Sequence, residues 1–233
     1  MKKLIRNIYY LIRISTPIKI ILNYIKNYIP NYRKKKNCEK IAKTIYQNFK
    51  SIDSTKKWFT NNLYFLDKNL SNKPINNFLE IGSYEGRSAI FFSNLFKDAN
   101  ITCVDTWSGS DEHSKIDFTL IEKNFDSNLK LLINNNKLIK HKTTSDNFFK
   151  NNSNYFDLVY VDGDHSKDQV FKDLNNSWSS LKNNGYLLID DYMWWYYKDL
   201  KKNPAFAVNK FINEKIGEIK NLIVWHQVII QKK

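Results

Sequence analysis

The sequence predicts an α/β fold: a Rossmann-like, doubly wound sheet of seven strands, mostly parallel with a C-terminal antiparallel strand, and helices on both faces. Three observations carry this expectation. Short apolar runs alternate with stretches of helical spacing from residue 77 onward. A glycine turn directly follows the first run, and several later runs end on carboxylates.

The five leading strands are expected at Asn77–Ile81, Ile101–Asp105, Leu138–Lys142, Phe156–Asp162 and Gly185–Asp190. Lys167–Leu181 has helical spacing, and Pro204 suits the first turn of a helix running through Phe211. Asn221–Trp225 and Gln227–Gln231 leave almost no room between them, so they predict a terminal antiparallel hairpin. Upstream, 38–51 and 55–70 predict two helices, the second capped by Ser54.

Length and composition agree with this class. The 233 residues are enough for one α/β domain with appendages. An apolar share of 42% and an aromatic share of 15% exclude a disordered chain. Two widely spaced cysteines, Cys38 and Cys103, exclude a disulfide scaffold and suit a reducing, cytoplasmic setting.

The net charge of +14 is unevenly spread. Residues 1–36 hold ten Lys or Arg and no acid, and the first acidic residue is Glu39. The remainder holds 27 basic and 23 acidic residues, so the body is only mildly basic. The expected division is a basic amphipathic arm over 1–36, helices over 37–73 and a Rossmann-like core over 74–233. Charges at Arg6, Arg13, Lys19, Lys26 and Arg33 interrupt every apolar run in the arm, so it predicts neither a spanning helix nor a signal peptide. Pro17 and Pro30 are expected to divide it. Two readings of the arm stand side by side: an interfacial segment on the inner face of an anionic membrane, and an arm packing on its own domain or on a second subunit.

The glycine turn reads Glu80-Ile81-Gly82-Ser83-Tyr84-Glu85-Gly86. Gly82 allows a tight turn and close ligand approach, and Gly86 allows the next helix to pack close. The spacing differs from the Gly-x-Gly-x-x-Gly that cradles a pyrophosphate. Asp105 ends the second strand, 23 residues after Gly82. A carboxylate there can accept both hydroxyls of a ribose, so the pair points to an adenosine-type ligand.

The fourth strand ends Val161-Asp162-Gly163-Asp164-His165 and the fifth Ile189-Asp190-Asp191-Tyr192. In a doubly wound sheet these ends face the ligand crevice. Asp162, Asp190 and Asp191 are therefore expected to converge, and three close carboxylates call for protons or a cation. Oxygen-only ligands suit Mg²⁺ or another hard divalent ion. His165, three residues past Asp162, has the pKa of a general base. Asp164 is expected to cap the following helix. Trp107–His113 is polar and suits a lid, and the aromatic run Trp194–Tyr197 suits stacking on a sugar face or packing on the sheet.

These motifs resemble a known family. Glu80–Gly86 looks like motif I of class I S-adenosylmethionine-dependent methyltransferases, and Val104-Asp105-Thr106-Trp107 looks like their acidic turn. Phe156–His165 with Gly185–Tyr192 resembles the sugar and macrolide O-methyltransferase-like group (Methyltransferase 24-like), whose metal site is similar to that of catechol and caffeoyl-CoA O-methyltransferases. The resemblance covers about residues 75–200. It implies an S-adenosylmethionine site at Glu80, Gly82, Ser83, Tyr84, Gly86, Asp105, Thr106, Trp107 and Asp162, with Ser145 and Asp146 at the adenine. It implies Mg²⁺ on Asp162, Asp190 and Asp191, and His165 as base. Some relatives have Lys and Asn where this chain has His165 and Asp191. The expected acceptor is a small molecule, glycan or glycolipid. A nucleic-acid methyltransferase gripping phosphates through the basic arm and a non-catalytic membrane adaptor are the competing readings, and a homo-oligomer is compatible with all three.

Overall fold

The computed structural model describes residues 1–53, 55, 58–109 and 117–233, with Lys35 described by its backbone alone. Its centre is one seven-stranded sheet: β1 (Asn77–Ile81), β2 (Asn100–Asp105), β3 (Leu138–Lys142), β4 (Phe156–Val161), β5 (Leu181–Ile189), β6 (Ile219–Val224) and β7 (Val228–Lys232). The order is β3-β2-β1-β4-β5-β7-β6. The first five strands are parallel, and β7 runs antiparallel to both β5 and β6. The C-terminal hairpin is thus present, with its second strand inserted beside β5. Phe78–Leu79, Leu158–Val161 and Tyr186–Ile189 are apolar on successive residues because helices cover the sheet: Leu79, Val159 and Leu187 have no exposed surface.

Register decides where the chemistry falls. Ile81 pairs with Val104 on one side and Val161 on the other, and Val161 pairs with Ile189. The next residues along these strands are Gly82, Asp105, Asp162 and Asp190. They therefore emerge side by side at the carboxyl ends, where the strand order reverses between β1 and β4.

The helices are α1 (Lys2–Arg13), α2 (Ile18–Tyr32), α3 (Lys35–Ile45), α4 (Leu63–Leu70), α5 (Arg87–Leu95), α6 (Phe118–Asn128), α7 (Lys130–Asn134), α8 (Ser145–Asn151), α9 (Lys167–Ser179) and α10 (Pro204–Lys215). Two expectations upstream of the sheet shift. The first helix, expected at 38–51, spans Lys35–Ile45. The second is a short 3-10 turn, Phe59–Asn62, followed by α4, and the expected cap Ser54 lies outside the described residues.

The basic arm forms α1 and α2. Pro17 divides the arm as expected, standing at the N-cap of α2, but Pro30 sits inside the last turn of α2 and does not divide it. The proline removes one backbone N–H near the helix end, and both Pro30 and Lys26 four residues earlier are exposed, so water can serve the freed carbonyl. The inner faces of both helices are buried through Tyr10, Leu11, Ile14, Ile20 and Tyr24. Asn23 closes the edge of β6: its Nδ2 donates to Leu222 O (2.9 Å) and its Oδ1 accepts from Val224 N (2.8 Å). An edge strand is thereby covered by a helix. A buried polar chain ties the arm to α10: Tyr192 Oη donates to Asn209 Oδ1 (2.8 Å), and Asn209 Nδ2 donates to Thr16 Oγ1 (2.7 Å).

Candidate active site

A cavity of about 1010 Å³ opens over the carboxyl ends of the strands, with Gly82, Asp105, Asp162 and Asp190 all in its wall. The glycine turn is built for close approach. Gly82 has φ +87°, and a Cβ there would lie 2.0 Å from Asp162 O. Only glycine lets β1 and β4 come this near. Gly86 (φ +82°) starts α5, and its space is taken by Leu129.

Asp105 organises this turn. Its Oδ2 accepts the backbone amides of Ser83 (2.9 Å) and Tyr84 (2.8 Å), and its Oδ1 accepts the amide of Trp107 (2.7 Å). Oδ2 thereby uses both of its lone pairs, and Oδ1 keeps one. Trp107 adds a brace by donating its indole N–H to Tyr84 O (2.9 Å). Ser83 Oγ is buried on the side of Glu80 and Cys103, behind the turn.

Of the residues expected at the cofactor, Gly82, Ser83, Tyr84, Asp105, Thr106, Ser145, Asp146 and Asp162 line the cavity. Glu80, Gly86 and Trp107 do not. Glu80 is fully buried behind the turn, against Cys103 on β2, whose thiol donates to it at 3.5 Å. Burial pushes its carboxyl up to about 7. Gly86 and Trp107 act as supports for the turn. Residues 110–113 of the expected lid lie outside the described residues.

Other wall residues escaped the sequence analysis. Glu85 accepts from Ser51 Oγ (2.7 Å), Ile52 N (2.7 Å) and Asn124 Nδ2 (2.8 Å), and so pins residues 51–53 over the cavity. Near Ser145, the Gln169 amide donates to Asp146 Oδ1 (3.2 Å) and Asp173 Oδ1 (3.1 Å). Burial raises Asp173 to about 6.

The carboxylates converge as their strand ends dictate. Tyr160, two residues before Asp162 on β4, places its hydroxyl 2.9 Å from Asp162 Oδ2 and also against Asp190 Oδ2. One phenol proton is thus offered to two carboxylates. Asp190 Oδ2 also accepts from Gln227 Nε2 (2.9 Å), and its Oδ1 accepts from Asp191 N (2.7 Å). Burial, then the neighbouring carboxylates, raises Asp162 well above its ordinary range and Asp190 to about 6.

Asp191 sits at φ +51°, a left-handed conformation unusual for a non-glycine residue and of a kind that clusters at functional sites. His165 Nε2 lies 2.9 Å from Asp191 Oδ2 and 3.8 Å from Asp162 Oδ1. The Trp194 ring, 4.9 Å away, packs on the imidazole. One ligand atom each from Asp162, His165 and Asp191 falls within 4.8 Å of the others, a span that one divalent ion bridges. Asp190 is held beside this group by its three hydrogen bonds.

Asp164 accepts from Ser166 N (2.6 Å), but Ser166 itself occupies the cap position of α9. The aromatic run splits. Trp194 faces the cavity, whereas Trp195 turns to the arm, 4.8 Å from the Tyr10 ring and under the Arg6 guanidinium at 5.2 Å.

A family profile described as a methyltransferase domain matches residues 79–192. No curated protein matches. Among solved structures, a caffeoyl-CoA O-methyltransferase candidate from Staphylococcus aureus is 16% identical, with TM-score 0.56, over 97% of this chain and 99% of that chain. The SAH-bound methyltransferase PaMTH1 of Podospora anserina is 16% identical, with TM-score 0.55, over 86% and 97%. MycE, a methyltransferase of the mycinamycin biosynthetic pathway in complex with Mg and SAH, is 16% identical, with TM-score 0.53, over 84% of this chain and 54% of that chain. At such identities the likeness establishes the fold. The profile adds the class: residues 79–192 carry a methyltransferase domain.

Proposed function

We propose that this enzyme methylates a hydroxyl oxygen of a sugar or glycolipid intermediate with the help of a divalent cation, on the cytoplasmic side of the membrane. One observation carries the reading. Asp162, Asp190, Asp191 and His165 meet at the ends of two adjacent strands, in the wall of the cavity that the Gly82 turn opens onto.

The residues fit both absent groups. The close approach at Gly82 and the remaining lone pair of Asp105 Oδ1 suit the cofactor, which supplies an electrophilic methyl group when bound. Asp162 and Asp191, with Asp190 beside them, would hold the cation, which would offset their mutual repulsion and favour ionisation of an acceptor hydroxyl.

The protein supplies the remaining steps. His165 takes the acceptor proton, and Asp191 at 2.9 Å stabilises the resulting imidazolium. Trp194 fixes the imidazole plane and offers a ring face to a sugar. Tyr160 and Gln227 hold Asp190 in place. The loop pinned by Glu85 roofs the cavity and limits water entry.

The test is SAH production from S-adenosylmethionine across a panel of sugars, lipid-linked sugars, RNA and amines, with Mg²⁺ and with EDTA. Turnover that needs both a hydroxyl acceptor and the cation supports the reading. Turnover unaffected by EDTA contradicts the cation, and turnover confined to RNA or amine acceptors contradicts the acceptor.

A further inference from the structure

We propose that α1 and α2 seat the enzyme on an anionic lipid bilayer through their outward faces. The proposal deepens the function above, since it rests on a membrane-borne acceptor for its purpose.

Both helices carry a second apolar stripe besides the buried one. On α1 it is Ile5, Tyr9 and Ile12, exposed by 61%, 62% and 58%. On α2 it is Ile18, Leu22 and Ile29, exposed by 65%, 57% and 45%, with Tyr32 at its end. The spacings are those of one helix face. Such a row costs free energy in water unless something covers it. Basic residues run beside both stripes: Lys2, Arg6 and Arg13 on α1, and Lys19, Lys26 and Arg33 on α2. No acidic residue precedes Glu39.

Charge selects the occupant. A bilayer with anionic headgroups takes apolar side chains at the acyl boundary and meets the cations with phosphates. A second copy of the same face would set like charges against each other. Nucleic acid would match the cations but leave the aliphatic stripe unused, because bases stack on aromatic rings. With 12 and 15 residues, the two helices are too short to cross a bilayer and would lie along it.

The docked element also reaches the cavity. Lys3 of α1 is part of its wall, and Arg6 and Tyr10 grip Trp195, the neighbour of the cavity residue Trp194. A lipid-linked acceptor would therefore meet the cavity from the side that the membrane holds.

The experiment is flotation of the full chain with vesicles of phosphatidylcholine alone and of phosphatidylcholine with phosphatidylglycerol, at rising salt. SAH affinity is measured in parallel. Wild type should float only with the anionic vesicles and be released by salt. Lys19→Gln/Lys26→Gln/Arg33→Gln should weaken partitioning by roughly fivefold per cation, about a hundredfold in all. Leu22→Asp/Ile29→Asp, both at exposed positions, should abolish it with SAH affinity unchanged. No flotation by wild type that binds SAH normally overturns the docking and leaves the methyltransferase standing. So does a dimer that the Asp variants dissolve, or preference for RNA over anionic vesicles. Loss of SAH binding in wild type strikes the enzyme reading instead, and the vesicle result is scored separately.

Discussion

His165 Nε2 lies 2.9 Å from Asp191 Oδ2, and the two residues come from the ends of adjacent parallel strands. This contact joins the base to the carboxylate cluster. Replacing His165 by Ala should lower kcat by about 10²–10⁴, with SAH affinity within twofold of wild type. Single-turnover methyl transfer checks it, and an unchanged kcat would remove His165 from the chemistry.

Asp105 holds three backbone amides of the turn and of the segment after β2. Hydrogen bonds to a charged group are worth about 1.5–3 kcal/mol each. Asp105→Ala should thus weaken SAH binding by more than the roughly tenfold expected for one lost contact, and should also lower Tm. Asp105→Asn, which keeps an acceptor, should fall between. Calorimetric titration beside thermal melting checks the order of the three proteins.

Gly82→Ala places a Cβ 2.0 Å from Asp162 O in a left-handed conformation. The strain alone is about 1–3 kcal/mol, and relieving the clash separates β1 from β4. SAH binding should be lost, with the far-UV signal of the sheet retained. Wild-type affinity in this variant would contradict the close approach.

How far these residues were legible in the sequence depends on the strand rule. Gly82, Asp105, Asp162 and Asp190 each follow or end an apolar run, so their meeting at one sheet edge needs only parallel register. Tyr160 was passed over although it lies two residues before Asp162 and so on the same strand face. It looked like one more apolar position of a buried strand. Glu80 misled for the converse reason: it adjoins the turn in sequence, but its place in β1 points it away from the cavity. The arm could not be oriented from sequence, since α2 has apolar residues on two faces and only the packing on β6 shows which one is buried. Glu85 and Ser51 meet across 34 residues, a distance no local pattern spans.

Buried Glu80 gives a pH dependence. Its carboxyl is raised from 4.5 to about 7, so folding favours the protonated form. The corresponding stability is present below about pH 4.5 and is lost as pH rises through about 7. The loss is on the order of 3 kcal/mol. Glu80→Gln stays neutral throughout, so its Tm should gain on wild type between about pH 5 and about pH 8. Parallel Tm curves would contradict the burial of an ionisable group here.

The most direct test of the shared cofactor and cation site is calorimetric titration of Mg²⁺ into the SAH-saturated protein, for wild type, Asp162→Asn and Asp191→Asn. The account predicts a single Mg²⁺ site in wild type, weakened at least tenfold in each variant, while SAH affinity in EDTA stays intact in Asp191→Asn. SAH binding without any Mg²⁺ heat in wild type would contradict it, and would leave a methyltransferase whose carboxylates serve protons alone.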